Sequence, residues 1–136
     1  KDGKLTTIEG AKELAFISDK TLKELNHPGY VVMNGKFKDV LPKFLPGSMP
    51  FDFVFIDGHH DKVATLEYFN IIYPYLSKKA VVIFDDINWS KGMQIVWKEI
   101  YNDQRIKMSF DLYKWGICLI DKTAFVDKMK CYKLVV

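Results

Sequence analysis

The segment Asp57-Gly58-His59-His60 contains the residue types that are most informative about chemistry, and it directly follows an apolar run. Imidazole titrates near neutral pH, so His60, with His59 beside it, is a candidate base or metal ligand. Asp57 could hold a cation or another positively charged group. Two exposed loop histidines without a function remain the alternative interpretation.

Asp85 and Asp86 form a second acidic group, directly after the apolar run 80–84. With Asp57 they would place three carboxylates at neighbouring strand ends, which suits a hard cation such as Mg²⁺. Carboxylates held so close together repel one another, so a positively charged partner is implied. The alternative is that Asp86 caps the turn into Ile87 and that no metal binds.

Two more polar positions follow the first apolar runs. Glu9 could accept two hydrogen bonds from a ribose diol, or it could simply cap the helix after it. Asn34-Gly35 could contact a nucleotide base, because glycine permits a positive φ and lets the backbone approach a flat ligand. The same dipeptide could be only a turn.

These side chains are positioned by apolar runs that alternate with helical patterns. The runs 5–8, 30–33, 51–56 and 80–84 predict strands, and the segments 11–26, 36–45, 62–76 and 91–103 predict helices. Ser90 is the predicted cap of the last helix. Ligands of open parallel sheets bind beyond the carboxyl ends of the strands, so the polar positions are expected to share one rim.

The pattern changes after residue 103. The runs 108–113 and 117–120 are separated only by Lys114-Trp115-Gly116, which is too short for a helical crossover, so they must pair antiparallel. The segment 123–136 is expected to form a short helix and a tail. The sequence therefore predicts an α/β fold, with a mostly parallel sheet, helices on both faces and a C-terminal antiparallel hairpin.

Composition limits the possible functions. The chain has 136 residues, of which 49% are hydrophobic and 27% charged, and this predicts a single domain over 1–136. No apolar run approaches the roughly 18 residues that cross a bilayer, and the basic excess is scattered, so neither a membrane nor a nucleic acid is an expected partner. Cys118 and Cys131 form no disulfide framework and no zinc pattern, which favours a reduced, cytoplasmic protein.

As a set, these segments resemble class I S-adenosylmethionine-dependent methyltransferases, and most closely the small-molecule O-methyltransferase-like branch. The resemblance covers nearly the whole chain. It is carried by the runs 51–60 and 81–89, the helix end Tyr73-Pro74-Tyr75-Leu76, the segment 35–42 and the terminal hairpin. It implies a Rossmann-like sheet of seven strands and transfer of a methyl group to a hydroxyl oxygen of a small molecule or sugar.

The resemblance also implies how the cofactor would be held. Glu9 matches the acid that binds the ribose of S-adenosylmethionine, and Asn34 and Gly35 match the region beside the adenine. Asp57 is also a candidate cofactor-binding residue.

Metal binding and catalysis are implied for the remaining candidates. Asp57, Asp85 and Asp86 match the positions that hold Mg²⁺ in cation-dependent members, where the ion orients and acidifies the acceptor hydroxyl. His60 falls where those members carry a basic residue, so it is the candidate general base, with Asp57 as a second catalytic candidate. Trp89 would either line the acceptor pocket or belong to the core.

The Gly-rich first strand of that family, which cradles the methionine end of the cofactor, has no counterpart here, and Gly-x-Gly is absent. We therefore expect the chain to be the C-terminal part of a longer protein, with a gap in the sheet between the strands at 5–8 and 51–56. The tail 131–136 is either an interface strand, which would allow a homodimer, or a frayed end.

Other function classes stay open. A methyltransferase-like module without its cofactor half could serve interaction only, and a nicotinamide-dependent oxidoreductase fragment could also use an acid on ribose. A phospho-receiver domain is disfavoured, because its acidic pair follows the first strand and its lone aspartate the third, whereas here Asp57 precedes Asp85-Asp86.

Overall fold

The computed structural model describes residues 3–123 and 130–134. The chain divides into two compact units, Lys1–Gly47 and Ser48–Val136. Within the described ranges, none of the helices combines the length and the apolar character that crossing a membrane requires. The strands fall into a two-stranded and a five-stranded sheet.

The first unit is a strand–helix–strand–helix segment. Its strands β1 and β2 pair in parallel, with Glu9 opposite Asn34 at their carboxyl ends, and α1 packs against β2. A 3-10 turn follows α2. The elements are β1 (Leu5–Glu9), α1 (Lys12–Glu24), β2 (Tyr30–Asn34) and α2 (Phe37–Phe44).

Within the described residues, the second unit contains the five-stranded sheet and two α-helices. Its elements are β3 (Phe51–Ile56), α3 (Lys62–Ile72), β4 (Leu76–Phe84), α4 (Lys91–Tyr101), β5 (Met108–Leu112), β6 (Trp115–Asp121) and β7 (Lys130–Lys133). The strand order is β3-β4-β6-β5-β7. The pairs β3–β4 and β5–β7 are parallel, and β4–β6 and β5–β6 are antiparallel. The predicted hairpin is therefore confirmed, but this sheet is mixed rather than mostly parallel.

The C-terminal segment differs from the prediction of a short helix and a tail. Residues 130–133 form β7, which pairs in parallel with β5, and the Tyr132 ring stacks on Phe110 at 5.6 Å between centroids. The predicted helix falls mainly on residues 124–129, which lie outside the described part of the chain. The homodimer stays a prediction.

The helix α3 is shorter than the predicted 62–76. Proline lacks the amide hydrogen that a helix interior needs, so the chain around Pro74 tightens into a 3-10 turn, Tyr73–Tyr75, and β4 begins at once at Leu76. The helix begins after Asp61, whose carboxylate accepts hydrogen bonds from two backbone amides of the first turn. Ser90 caps α4, as predicted.

The core of the second unit lies between β4 and the two helices α3 and α4. Phe84 is 1% exposed, and its ring makes an edge contact with Phe69 at 5.7 Å and a tilted contact with Trp97 at 6.2 Å. Burying each such side chain contributes about 1.5–3 kcal/mol to stability. This packing fixes the end of β4, and therefore the position of Asp85 directly after it.

Candidate active site

The loop after β3 folds back on itself and joins a histidine to a carboxylate. Nε2 of His60 lies 3.1 Å from Oδ1 of Asp57 and 3.6 Å from Oδ2 of Asp86. The backbone achieves this with positive φ angles at His59 (67°) and His60 (31°). Such conformations cost of order 1–3 kcal/mol each and are concentrated at functional sites.

Asp85 is held in place by the sheet and is almost completely buried. Its backbone N–H donates to the Ile56 carbonyl at 3.0 Å, and the residue is 8% exposed. Within the described residues, its buried Oδ1 atom has no hydrogen-bond partner. A buried carboxylate oxygen that lacks a donor is costly, so this position fits a positively charged ligand.

The geometry supports a divalent cation at this place. One possible ligand atom from each of Asp57, His60 and Asp85 lies within 4.8 Å of the others. Mg²⁺ prefers oxygen ligands, so it would bind the two carboxylates rather than the imidazole nitrogen. Mn²⁺ accepts both oxygen and nitrogen ligands. Two members of the predicted set, Asp57 and Asp85, are therefore brought together.

The third predicted ligand, Asp86, has a different surrounding. Its φ of 51° turns the chain immediately after Asp85. Its carboxylate lies near His60 and 3.8 Å from the ammonium of Lys114. In the structure His60 completes the three-residue cluster, while Asp86 lies beside it.

Sequence reasoning missed Lys114, because this residue reaches the cluster only through the pairing of β6 with β4. The strand β6 returns beside β4 with Gly116 opposite Phe84, so the tip of the β5–β6 hairpin must lie next to the residues that follow β4. Two hydrogen bonds join these loops: Ile87 N–H donates to the Lys114 carbonyl at 3.0 Å, and the Asn88 amide donates to the Tyr113 carbonyl at 2.6 Å.

Exposed aromatic side chains lie on the loop that carries Asp86 and on the hairpin tip that carries Lys114. Trp89 is 72% exposed, and its ring centroid lies 6.1 Å from that of His60. The interpretation of Trp89 as a core residue is therefore wrong. Tyr113, at the hairpin tip, is equally exposed. Aromatic surfaces next to a base and carboxylates could contact an organic ligand.

In the first unit, the predicted ribose and base contacts have local structural roles. Oε1 of Glu9 accepts a hydrogen bond of 2.9 Å from Ala11 N–H. The Asn34 amide group donates to the Glu9 carbonyl at 2.9 Å. Glu9 does not cap α1, whose N-cap is Ala11 without a side-chain hydrogen bond. A carboxylate has about four lone-pair sites, so Glu9 keeps the capacity to accept from a ribose.

Gly35 is required by its backbone and by its surroundings. It has a φ of 153°, and a Cβ atom there would lie 2.7 Å from Cγ2 of Val40. Gly35 also lies at a pocket of about 520 Å³ at the carboxyl end of β2. The pocket is lined by Met33, Asn34, Gly35, Lys36, Asp39, Val40, Lys43 and Phe44. A cavity of this size can hold a flat heterocycle.

Residues 1–87 match a family of proteins described as a methyltransferase domain. The matched region includes every residue that the sequence predicted for the cofactor, the metal and the catalytic base. No curated protein sequence matches the chain significantly.

Solved structures show where this fold occurs. An O-methyltransferase from Bacillus cereus, crystallised with SAH, superposes with a TM-score of 0.72 at 22% identity, over 90% of this chain and 64% of that one. TomG, an O-methyltransferase from Streptomyces achromogenes in complex with SAM, gives 0.73 at 22% identity, over 88% and 63%. An rRNA methylase from Streptococcus thermophilus gives 0.60 at 13% identity, over 89% and 74%.

These comparisons confirm the Rossmann-like α/β fold. The chain spans 64% of the length of the Bacillus cereus protein. Because the same fold occurs in proteins described as O-methyltransferases and as an rRNA methylase, the acceptor has to be argued from the residues of the site.

Proposed function

Because this chain belongs to the methyltransferase domain family, we propose that it transfers a methyl group from S-adenosylmethionine to a hydroxyl oxygen of a small molecule or sugar. The observation that carries this proposal is the pair formed by His60 and Asp57, 3.1 Å apart at the end of β3. A hydroxyl group needs a base to become a good nucleophile, and an imidazole oriented by a carboxylate is such a base.

The proposed proton transfer uses the ring nitrogen that faces away from Asp57. If Nε2–H of His60 donates to Asp57, Nδ1 carries the lone pair and can accept the proton of the acceptor hydroxyl. The imidazolium that forms is then stabilised by Asp57 and by Asp86, 3.6 Å away. S-adenosylmethionine supplies the methyl carbon: an oxygen–carbon bond forms, the carbon–sulfur bond breaks, and its electron pair stays on sulfur in S-adenosylhomocysteine.

We assign cofactor binding to Glu9, Asn34 and Gly35. The backbone bonds of Glu9 and Asn34 hold both side chains at the carboxyl end of the β1–β2 pair. The pocket next to Gly35 offers room for an adenine. All three residues lie within the region, 1–87, that matches the family.

We assign a divalent cation, Mg²⁺ or Mn²⁺, to Asp57 and Asp85, with Asp86 as the third predicted ligand. When bound, the ion would orient the acceptor hydroxyl and lower its pKa. The buried, unpartnered Oδ1 atom of Asp85 supports this assignment. Since Nε2 of His60 cannot both donate to Asp57 and bind a metal, we assign His60 to proton transfer.

Calorimetric titration of S-adenosylhomocysteine into the intact protein tests the cofactor assignment. A Glu9→Gln variant keeps the bond to Ala11 but loses the charge, and its affinity should fall about 10- to 100-fold, the value of one or two charged hydrogen bonds. Glu13→Gln, on the exposed surface of α1, removes the same charge and should bind normally.

Each alternative function has its own outcome. Failure of the intact protein to bind S-adenosylhomocysteine would favour the non-catalytic interaction module. Binding of NADH instead would favour the nicotinamide-dependent oxidoreductase. If the cofactor binds, methyl transfer to catechol-type phenols and to sugars identifies the acceptor class, and methylation of RNA alone would contradict a small-molecule acceptor.

The free thiols of Cys118 and Cys131 support a cytoplasmic location, where thiols stay reduced. Localisation of a tagged form in cell fractions tests this assignment.

A further inference from the structure

The ammonium group of Lys114 lies at equal distances from two carboxylates of the acidic cluster. Its Nζ atom is 3.8 Å from Oδ1 of Asp85 and 3.8 Å from Oδ1 of Asp86. Neither distance is short enough for a hydrogen bond, so the ammonium compensates these carboxylates by charge alone. It approaches the same Asp85 oxygen that has no hydrogen-bond donor within the described residues.

The backbone of Lys114 is fixed, whereas its side chain extends into solvent. The Lys114 N–H donates to the Leu112 carbonyl at 2.8 Å, and its carbonyl accepts from Ile87 N–H. The side chain itself is 59% exposed. A long flexible chain on a fixed backbone can bring its charge to the cluster or move it into water.

The charges near Asp85 match one divalent ion. The cluster contains three carboxylates, on Asp57, Asp85 and Asp86. The ammonium of Lys114 lies near the last two of them, and the imidazole of His60 lies near Asp57 and Asp86. If the imidazole is neutral, the three carboxylates and the ammonium together have a net charge of −2. A bound divalent ion would neutralise this net charge, but an ammonium that stays 3.8 Å from two of the ligand carboxylates would repel the ion.

We propose that Lys114 is a tethered cation, which occupies the Asp85–Asp86 side of the cluster in the absence of metal and leaves it when a divalent ion binds. This inference rests on the metal assignment made above. Lys114 thereby lowers the affinity of the site for the ion and stabilises the metal-free form, so the site binds metal reversibly rather than permanently.

Mn²⁺ binding to the intact protein, followed by the electron paramagnetic resonance signal of the free ion, tests the proposal without any acceptor. Lys114→Met should bind Mn²⁺ roughly 3- to 30-fold more tightly, because one repelling unit charge is removed at a partly exposed site. Lys114→Arg, which keeps the charge, should bind like the parent. Lys79→Met is the matched control, since Lys79 is exposed on β4 where this strand pairs with Asp121, away from the strand end that precedes Asp85.

The metal-free protein gives a second readout. Lys114→Met should lower the melting temperature when the metal is chelated, and saturating Mn²⁺ should remove the difference. If Lys114→Met does not fold, Lys114→Gln replaces it. Equal Mn²⁺ affinity in Lys114→Met and Lys79→Met would overturn the proposal, and so would the absence of Mn²⁺ binding in the parent. Titration with S-adenosylhomocysteine reports separately whether the proposed methyltransferase function holds.

Discussion

The indole N–H of Trp97 donates a hydrogen bond of 3.1 Å to Oδ2 of Asp111. Trp97 lies on α4 and Asp111 on β5, so this bond joins the helix that follows the acidic loop to the hairpin that carries Lys114. The Trp97 ring also covers Gly116, the residue of β6 that pairs with Phe84. The hairpin can approach Asp85 and Asp86 because glycine leaves room for this ring.

Replacing Gly116 by alanine should therefore destabilise the protein. A Cβ atom at Gly116 would lie 2.5 Å from Cζ3 of Trp97, and an extra methyl group in a packed core costs about 1–3 kcal/mol of unfolding free energy. Urea denaturation followed by tryptophan fluorescence measures the change. Gly47→Ala, where nothing lies within 4 Å of the new atom, is the control, and an equal effect in both variants would contradict this role of Gly116.

His60→Asn should separate proton transfer from metal binding. Asparagine tolerates the positive φ of this position but cannot act as a base, so kcat should fall about 10²- to 10⁴-fold. Mn²⁺ affinity should change little, whereas Asp85→Asn should abolish it. His27→Asn, in the exposed turn after α1, controls for loss of a histidine. Loss of Mn²⁺ binding in His60→Asn would show that His60 is instead a metal ligand.

The local elements could be predicted because their signals lie in contiguous residues. The run 51–56 predicted β3 at its observed bounds, and Ser90 predicted the start of α4. Other features, namely the start of β4 and the existence of β7, depend on pairing between distant segments of the chain. The strand β4 extends back to Leu76 because Leu76 pairs with Phe51, and the lysine-rich β7 exists as a strand because β5 lies beside it.

The same distinction applies to the candidate site. The positions of Asp57 and Asp85 could be predicted, because each directly follows an apolar run that forms one strand of the parallel pair β3–β4. The contacts of Asp86 could not, since they depend on a positive φ that the residue type does not require. Lys114 reaches the cluster only through the register of β4 with β6, which the sequence does not show directly.

Gly35→Ala should weaken both the fold and cofactor binding. The φ of 153° is unfavourable for alanine, and its Cβ atom would meet Val40 at 2.7 Å, so a loss of about 1–3 kcal/mol of unfolding free energy is expected. Removing the Val40 side chain relieves the steric clash but not the unfavourable φ. The Gly35→Ala change should therefore cost less unfolding free energy in a Val40→Ala background than in the parent, but it should still cost some. Complete recovery in this double-mutant cycle would show that the backbone angle is unimportant.

Acid should destabilise the protein partly through Asp103. Burial raises the pKa of this carboxyl, but hydrogen bonds from Arg105 at 2.6 and 2.9 Å outweigh it and hold the pKa below the ordinary 3.8. Because the folded pKa is lowered, this stabilisation is complete above pH 3.8 and is lost as the pH falls through the folded value.

The slope of the unfolding free energy against pH, measured below pH 3.8, tests this assignment. Asp103→Asn removes the carboxylate that takes up a proton on unfolding in acid, so the slope for this variant should be smaller than for the control. The control is Asp39→Asn, which removes one exposed carboxylate and gives the same net charge. Equal slopes in the two variants would exclude Asp103 as a source of the acid sensitivity.

The two cysteines should differ strongly in their reactivity towards a disulfide reagent. Burial raises the pKa of the Cys118 thiol, and the side chain is inaccessible on β6, whereas Cys131 on β7 is partly exposed. The thiolate is the reacting species, so at pH 8 the native protein should show one rapid phase, from Cys131, and a second only after unfolding. Cys131→Ser should abolish the rapid phase and Cys118→Ser should preserve it. A rapid phase that survives in Cys131→Ser would contradict this prediction, because it would show that the Cys118 thiol is accessible in the native protein.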